Sequence, residues 1–307
     1  MPLLGERNGL WADALDPIVR FRFDLAFNRR PSLIPTLFNV QNSTRNYEQV
    51  SGVGAVGIEA WDAYRTSGVV GQADFDQGYK TTYTHIEYPL EIQIKRALLD
   101  DANMNQVLRI ADRAGDSAAV KMQVDAASVF NNAMSSSFLG ADGVALCSDS
   151  HPWSPQKTGA VQDNKYALAL TAANLSTIRT AMMNFVDDAG NPMGVTPDTV
   201  LVPPALADTA YEAVKSSNDP ANANNTINPQ NESGRWNVVV WHYLTDTNRF
   251  FVIDSALMKQ SLDWFNRAPL TVVPKVEDKT LLATWIAYMR YSFGWSDYRW
   301  VVGSEPS

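Results

Sequence analysis

The stretch from Ser43 to Met134 constrains this chain most: a glycine-punctuated, strand-like ribbon in two arms runs almost directly into a helical pattern of about thirty residues. From Tyr47 to Trp61 the chain reads as strand broken by Gly52, Gly54 and Gly57, and 62–77 is polar with Gly68 and Gly71. On the return arm Tyr79, Thr81, Tyr83, His85 and Glu87 alternate with Lys80, Thr82, Thr84, Ile86 and Tyr88. These are the β-branched and aromatic residues that a strand requires. The whole reads as a long hairpin with a flexible tip, followed after Pro89 by strand-like Leu90 to Lys95. A two-stranded ribbon of that length has two faces and two unpaired edges, and alone in water it is marginal. Something outside the ribbon must cover it, which points first to an assembly subunit and second to an enzyme.

From Met104 the period becomes helical, with Val107, Ala111, Ala114, Ala118 and Met122 at three- and four-residue spacing, then Val129, and an end near Met134. Gly115 reads as a mild interruption worth about 1 kcal/mol against alanine. Residues 1–45 mix Leu10, Trp11, Ile18, Phe21, Phe23, Leu25 and Phe27 with Pro17, Pro31 and Pro35 and show no sustained period. An extended arm with one short helix is expected there, because the prolines oppose a long helix.

Beyond the loop-rich stretch 138–170, Thr171 is placed as an N-cap for a helix carrying Leu175, Ile178, Met182 and Phe185 on one face. Thr199 to Val202 reads as a short buried strand, and Pro203-Pro204 as the start of a helix through Lys215. Residues 216–233, asparagine-rich with Pro220 and Pro229, are expected to be a mobile exposed loop. Trp236–Tyr243 and Arg249–Ile253 are expected to pair as strands across the turn 245–248. Leu281–Phe293 reads as a long strand with aromatic residues on both faces, and a last strand includes Tyr298–Val302. A strand apolar on both faces is central in a sheet or covered by another chain.

At 307 residues and 45% apolar composition the chain can bury a real core. It has no apolar run of about 18 residues, and Glu6 and Arg7 stand where a signal peptide needs an apolar stretch, so synthesis in a cytoplasm and no membrane partner are expected. Cys147 is the only cysteine, which excludes an intrachain disulfide and a cysteine-based zinc site. The net charge of -8, with acids and bases interspersed, argues against a protein built to grip phosphates, but suits a wall that encloses nucleic acid without adhering to it. Before Asn46 there are six arginines, no lysine and four acids, read as a solvated or neighbour-contacting arm.

No enzyme is expected, and no catalytic, cofactor-binding or metal-ligating residue is assigned. Cys147 and His151 sit four apart with Asp149 between, but two prolines in 146–155 oppose the helix that would hold them on one face. None of His85, His151 and His242 pairs with another at metal-ligand spacing. The acid pairs Asp187-Asp188 and Glu277-Asp278 lie where turns are expected, the usual place for solvated carboxylates. Gly52-x-Gly54-x-x-Gly57 matches a dinucleotide fingerprint by spacing alone, with no helix after it to face a pyrophosphate.

The order of elements resembles the HK97-type major capsid protein of tailed bacteriophages. The residues that carry the likeness are Tyr47-Glu-Gln-Val-Ser-Gly-Val-Gly, Gly78-Tyr-Lys-Thr-Thr-Tyr-Thr-His-Ile-Glu-Tyr and Ile92-Gln-Ile-Lys-Arg. Further on, Ser148-Asp-Ser-His-Pro, Leu170-Thr-Ala-Ala-Asn-Leu and Pro197-Asp-Thr-Val-Leu-Val-Pro look like the Mu-type head subunit branch. The resemblance implies an α+β fold: an N-terminal arm over 1–45, a β-hairpin E-loop over 46–93, a P-domain over 94–164 with its spine helix at 103–134, an axial A-domain over 165–268, and C-terminal P-domain strands over 269–307. It further implies a structural head protein that self-assembles into pentamers and hexamers, forming an icosahedral shell around double-stranded DNA held without sequence-specific contacts. Implied inter-subunit contacts are Arg29, Arg30, Trp61, Tyr64, Arg65, Phe75 and Lys80. Some relatives link an E-loop lysine to an asparagine of another subunit; Lys80 is the only lysine placed for that bond, and no partner asparagine or assisting acid is matched, so no crosslink is expected. The other implied partners are a separate scaffolding protein, a portal and a decoration protein, with the host cytoplasm as the place of assembly and the virion capsid as the destination. The alternatives are an encapsulin-like compartment shell and a carboxylate-dependent hydrolase.

Overall fold

The structure is a computed structural model that describes residues 4–53, 77–95, 104–157, 159–219, 226–277 and 282–306. In chain order it begins with helices α1 (Leu4–Phe27) and α2 (Ile34–Leu37), then strands β1 (Asn39–Asn42), β2 (Tyr47–Val53), β3 (Gln77–Thr84) and β4 (Ile86–Lys95), and the long helix α3 (Met104–Asn131). There follow β5 (His151–Pro152), β6 (Val161–Gln162), β7 (Lys165–Tyr166), α4 (Ala172–Met183), β8 (Thr199–Val202) and α5 (Ala207–Lys215). The chain closes with β9 (Asn237–Val240), β10 (Phe250–Ile253), α6 (Ser255–Ser261), β11 (Leu262–Glu277), β12 (Leu282–Trp295) and β13 (Val301–Ser304).

The N-terminal segment is not the extended arm expected from its prolines. It contains a 24-residue helix with Pro17 inside it. An interior proline costs roughly 3 kcal/mol, but Leu15, Val19, Phe23 and Ala26 all turn to the core. Burying large apolar side chains at roughly 1.5–3 kcal/mol each outweighs the lost backbone bond.

Helix α1 crosses α3 at Gly115, where the glycine makes the close approach possible. A Cβ there would lie 2.4 Å from the Phe23 carbonyl oxygen and 2.9 Å from the Ala26 Cβ. Because one obstacle is backbone, a side-chain rotation cannot relieve it. Gly115→Ala should therefore destabilise the fold by about 1–3 kcal/mol, despite a helix-propensity gain of about 1 kcal/mol. A urea titration measures this, and an unchanged or raised midpoint would contradict the packing.

The two larger sheets have the orders β1-β11-β12-β4 and β7-β13-β10-β8-β9. Strand β11 runs 16 residues, through Pro269 and Pro274, which hide it in the sequence. Register shifts on both sides of Ala268 place an irregularity at Pro269. Strand β1 pairs with Asp263–Asn266, so among the described residues the outer side of β11 around Pro274 is an edge, a place where proline is tolerated in a sheet.

Strands β9 and β10 do not form the expected hairpin. Strand β8 lies between them, parallel to β9 and antiparallel to β10. All four residues of β8 are buried, as are all four of β10, so both strands need cover on two faces. Helix α5 supplies the crossover that makes β8 and β9 parallel. Residues Val200, Val202, Phe250 and Val252 pack with Leu175, Ile178 and Met182 of α4. Their neighbours Leu201, Phe251 and Ile253 face the larger core, which also takes in α1, α3 and the first sheet.

The asparagine-rich stretch is also more ordered at its end than expected. Asn228 and Gln230 are buried; Asn228 Nδ2 donates to the Ala213 carbonyl at 2.8 Å and the Trp236 indole donates to Gln230 at 2.8 Å.

Candidate assembly surfaces

Strands β2 and β3 form the two-stranded ribbon, in register from Tyr47↔Thr84 to Ser51↔Lys80, with a shift before Val53↔Gln77. Among the described residues neither outer edge of the ribbon is paired with another strand. At Gly78 a Cβ would lie 2.8 Å from the Gly52 carbonyl carbon, so paired glycines bring the two arms close together.

The ribbon is rooted in the first sheet by two buried side chains. Tyr83, 4% exposed, donates its hydroxyl to Asp263 at 3.3 Å and tilts against Phe265 at 5.2 Å. Burial and the neighbouring Asp263 carboxylate hold the Tyr83 hydroxyl pKa far above its usual range, and burial raises that of Asp263. His85, also 4% exposed, stands between β3 and β4. Its Nε2 is 3.0 Å from Ser43 Oγ and its Nδ1 2.9 Å from Ser292 Oγ. Ser43 donates its own proton to Glu48 at 2.7 Å. The network therefore assigns the proton of neutral His85 to Nε2, with Ser43 accepting it and Ser292 donating to Nδ1.

Burial lowers the His85 pKa, the Arg290 and Arg267 charges add to the effect, and Glu48 opposes it. A folded-state pKa below the unfolded value of about 6.5 means that stability is complete above that pH and lost as pH falls through the window below it. Wild-type protein should lose more thermal stability between pH 7 and pH 5 than His85→Gln, which keeps one donor and one acceptor but does not titrate. Melting curves of both proteins at both pH values decide this; parallel losses would remove His85 as the cause.

Several apolar groups lie open at the surface. On α1, Ile18, Phe21 and Leu25 are 44%, 66% and 48% exposed and share the face opposite the core. On the first sheet, Ile86 and Leu90 of β4 and Val273 of β11 are also exposed. Of the contacts expected from sequence, Lys80 is exposed on β3, and Arg29 is half exposed with Asp116 at 3.5 Å and Asp112 at 3.9 Å in its own chain. Arg30 is exposed and lines a cavity of about 700 Å³ with Phe27, Ile34, His242 and Trp264. Trp61, Tyr64, Arg65 and Phe75 lie outside the described residues, as do the second and third glycines of the spurious fingerprint. The sequence carries no local signal for the root of the ribbon, whereas the spacing of Ile18, Phe21 and Leu25 carries one for the open face of α1, masked by the interleaved core positions.

Cys147 is buried, and burial pushes its thiol up to about 12, so at neutral pH it carries no nucleophilic thiolate. The His151 ring instead holds Asp142 at 2.6 Å. Among the described residues no group of three or more histidines, cysteines and carboxylates is placed to hold a metal ion, and no helix is long and apolar enough to cross a membrane.

A family model described as phage capsid protein matches residues 78–304. The chain belongs to that family. Solved structures give this capsid chain the same fold at low identity. Over 94% of this chain and 98% of the other, it is 12% identical to the virus-like particle from Pyrococcus furiosus, with a TM-score of 0.53. A structure from Mycobacterium phage Adephagia shares 15% identity over 91% of each chain at a TM-score of 0.55. The bacteriophage JBD30 capsid gives 16% identity and a TM-score of 0.57 over 70% of this chain and 92% of that one. Comparison with curated proteins finds no match.

Proposed function

We propose that the chain is the major head subunit of a tailed phage, in the HK97-type fold and its Mu-type branch, and that it assembles by laying the β2–β3 ribbon on neighbouring subunits. The observation that carries this reading is a ribbon rooted by buried Tyr83 and His85 whose two outer edges stay unpaired among the described residues, in a chain of the phage capsid family. In the proposed division 46–93 is the E-loop, 94–164 and the C-terminal strands form the P-domain around α3, and 165–268 is the A-domain at the symmetry axes. The proposed boundary at 268 falls within β11, which starts at Leu262. The open face of α1, with Arg29 and Arg30, takes the role of a neighbour-contacting N-terminal surface.

Heterologous contacts that close on themselves give rings. Pentamers and hexamers then close an icosahedral shell around double-stranded DNA, which a subunit of net charge -8 leaves free to slide. A separate scaffolding protein, a portal and a decoration protein complete the head in the host cytoplasm, before it becomes the virion capsid. The family match favours this reading over an encapsulin-like compartment and over a carboxylate-dependent hydrolase.

Electron microscopy of the protein expressed with its scaffold should show closed icosahedral particles, and a population of monomers or small oligomers would sink the reading. Boiled in detergent, those particles should give a clean monomer band, since Lys80 is not assigned a crosslink. A ladder of multimers would reverse that assignment.

A further inference from the structure

The cavity of about 700 Å³ lies between the end of α1 and the turn after it, the middle of α3, and the start of β11. That volume falls within the usual range for binding cavities, about 300–1,000 Å³. Phe27, Val40, Met122 and Trp264 give it apolar walls. Polar groups in the walls are engaged within the chain: Gln123 Nε2 donates to Ser32 Oγ at 2.6 Å, and the Trp264 indole donates to Asn266 at 2.8 Å. Among the described residues the lining carries no carboxylate, in a chain of net charge -8. Arg30 supplies a positive charge at its exposed margin. Arg29 beside it faces Asp112 and Asp116, whereas the Arg30 guanidinium has no ion pair or hydrogen bond among the described residues. Such a cavity suits an occupant with an aromatic or aliphatic centre and an acidic margin.

The chain itself contains a segment of that character. Residues 54–76 hold four acids, Glu59, Asp62, Asp74 and Asp76, against Arg65 as the one base, and Trp61 stands between Glu59 and Asp62. The segment links Val53 to Gln77, and its length lets its midpoint lie up to about 40 Å from the ribbon. It leaves on the far side of the sheet from the cavity. Side chains alternate along β11: Asp263 and Phe265 meet Tyr83 at the root of the ribbon, while Trp264 between them points to the opposite face and lines the cavity. An acidic segment on one face and an apolar cavity with a free guanidinium on the other make two different, complementary surfaces, the arrangement of a heterologous contact between copies.

We infer that the cavity receives segment 54–76 of a second copy, with Trp61 against the apolar walls and the flanking carboxylates facing Arg30. A buried tryptophan supplies the anchor, and the charge pair at the margin fixes which way the segment enters. This seating rests on the proposed function, in which the ribbon reaches a neighbour, and gives the ribbon a defined receiving surface.

Titration calorimetry of the full-length unassembled subunit with a synthetic peptide of residues 54–76 tests the seating independently of shell formation. Saturable one-to-one binding is expected, at least tenfold weaker for the subunit variant Arg30→Glu and for the peptide carrying Trp61→Ala. The exposed Arg30 side chain holds nothing within its own chain, so Arg30→Glu should melt with the wild type, and the peptide change leaves the subunit untouched altogether. No saturation, or equal affinity in either comparison, would overturn the inference. Binding seen only after 54–76 of the subunit has been replaced by an Asn-Gly turn would also overturn it, by placing the segment in the cavity of its own copy. Shells that fail without 54–76 while the peptide does not bind would sink the seating and spare the proposed function; shells that form normally without the segment would sink the proposed function itself.

Discussion

Truncating Phe130 to alanine should lower the free energy of unfolding by about 3–5 kcal/mol. The ring is fully buried near the C-terminal end of α3. It meets Trp241, Phe251 and Trp300 edge-on at centroid distances of 5.7, 5.2 and 6.0 Å. Such edge-to-face pairs add about 0.5–1.5 kcal/mol each beyond area burial, and three large rigid neighbours collapse poorly into the space left behind. Because Phe251 belongs to the five-stranded sheet and Phe130 to the long helix, the same ring joins the two halves of the molecule. The matched control is Phe21→Ala, whose ring is 66% exposed and whose loss should stay within about 0.5 kcal/mol for the isolated subunit. Equilibrium urea unfolding of both variants provides the comparison. A loss below about 1 kcal/mol at Phe130 would mean that the helix end is held by something other than this ring.

Much of this fold could be read from local pattern where one period and one boundary signal agreed. Thr171 caps α4 as its sequence indicates, accepting from the Asn174 amide at 3.2 Å. Strand β8 spans the same four residues that read as a buried strand, and α3 begins and ends close to the helical period. Failures came where tertiary packing overrode a local rule. Pro17 is tolerated in α1 because four buried positions outweigh it, and the period was obscured because Ile18, Phe21 and Leu25 make the opposite face apolar as well. Pro269 and Pro274 hide β11 for a similar reason: their tolerance depends on a register shift and an unpaired edge, which only the sheet creates. The β9–β10 pairing failed because no local signal shows that β8 inserts between two strands separated by a short turn. For the assembly surface, the ribbon was visible in its alternation, but its root was not. His85 finds its partners 42 and 207 residues away, at Ser43 and Ser292, and nothing in the neighbourhood of His85 points to either.

Loss of the ribbon beyond its root should abolish shells while sparing the subunit. Val53 and Gln77 face each other across the ribbon, so replacing residues 54–76 with a two-residue Asn-Gly turn closes the hairpin in a favoured geometry. The anchors Tyr83 and His85, and the sheet formed by β1, β11, β12 and β4, all lie outside the replaced segment. The variant should therefore stay soluble and melt within a few degrees of the wild type, because the contacts it is proposed to lose lie between copies. Closure multiplies many modest contacts, so removing one from every subunit acts on the whole assembly. The decisive measurement is electron microscopy of this variant expressed with the proposed scaffolding protein, beside the wild type, with thermal melting to establish that the subunit is folded. The account predicts a folded subunit and no closed particles, whereas closed particles of normal yield and stability from the shortened chain would contradict it.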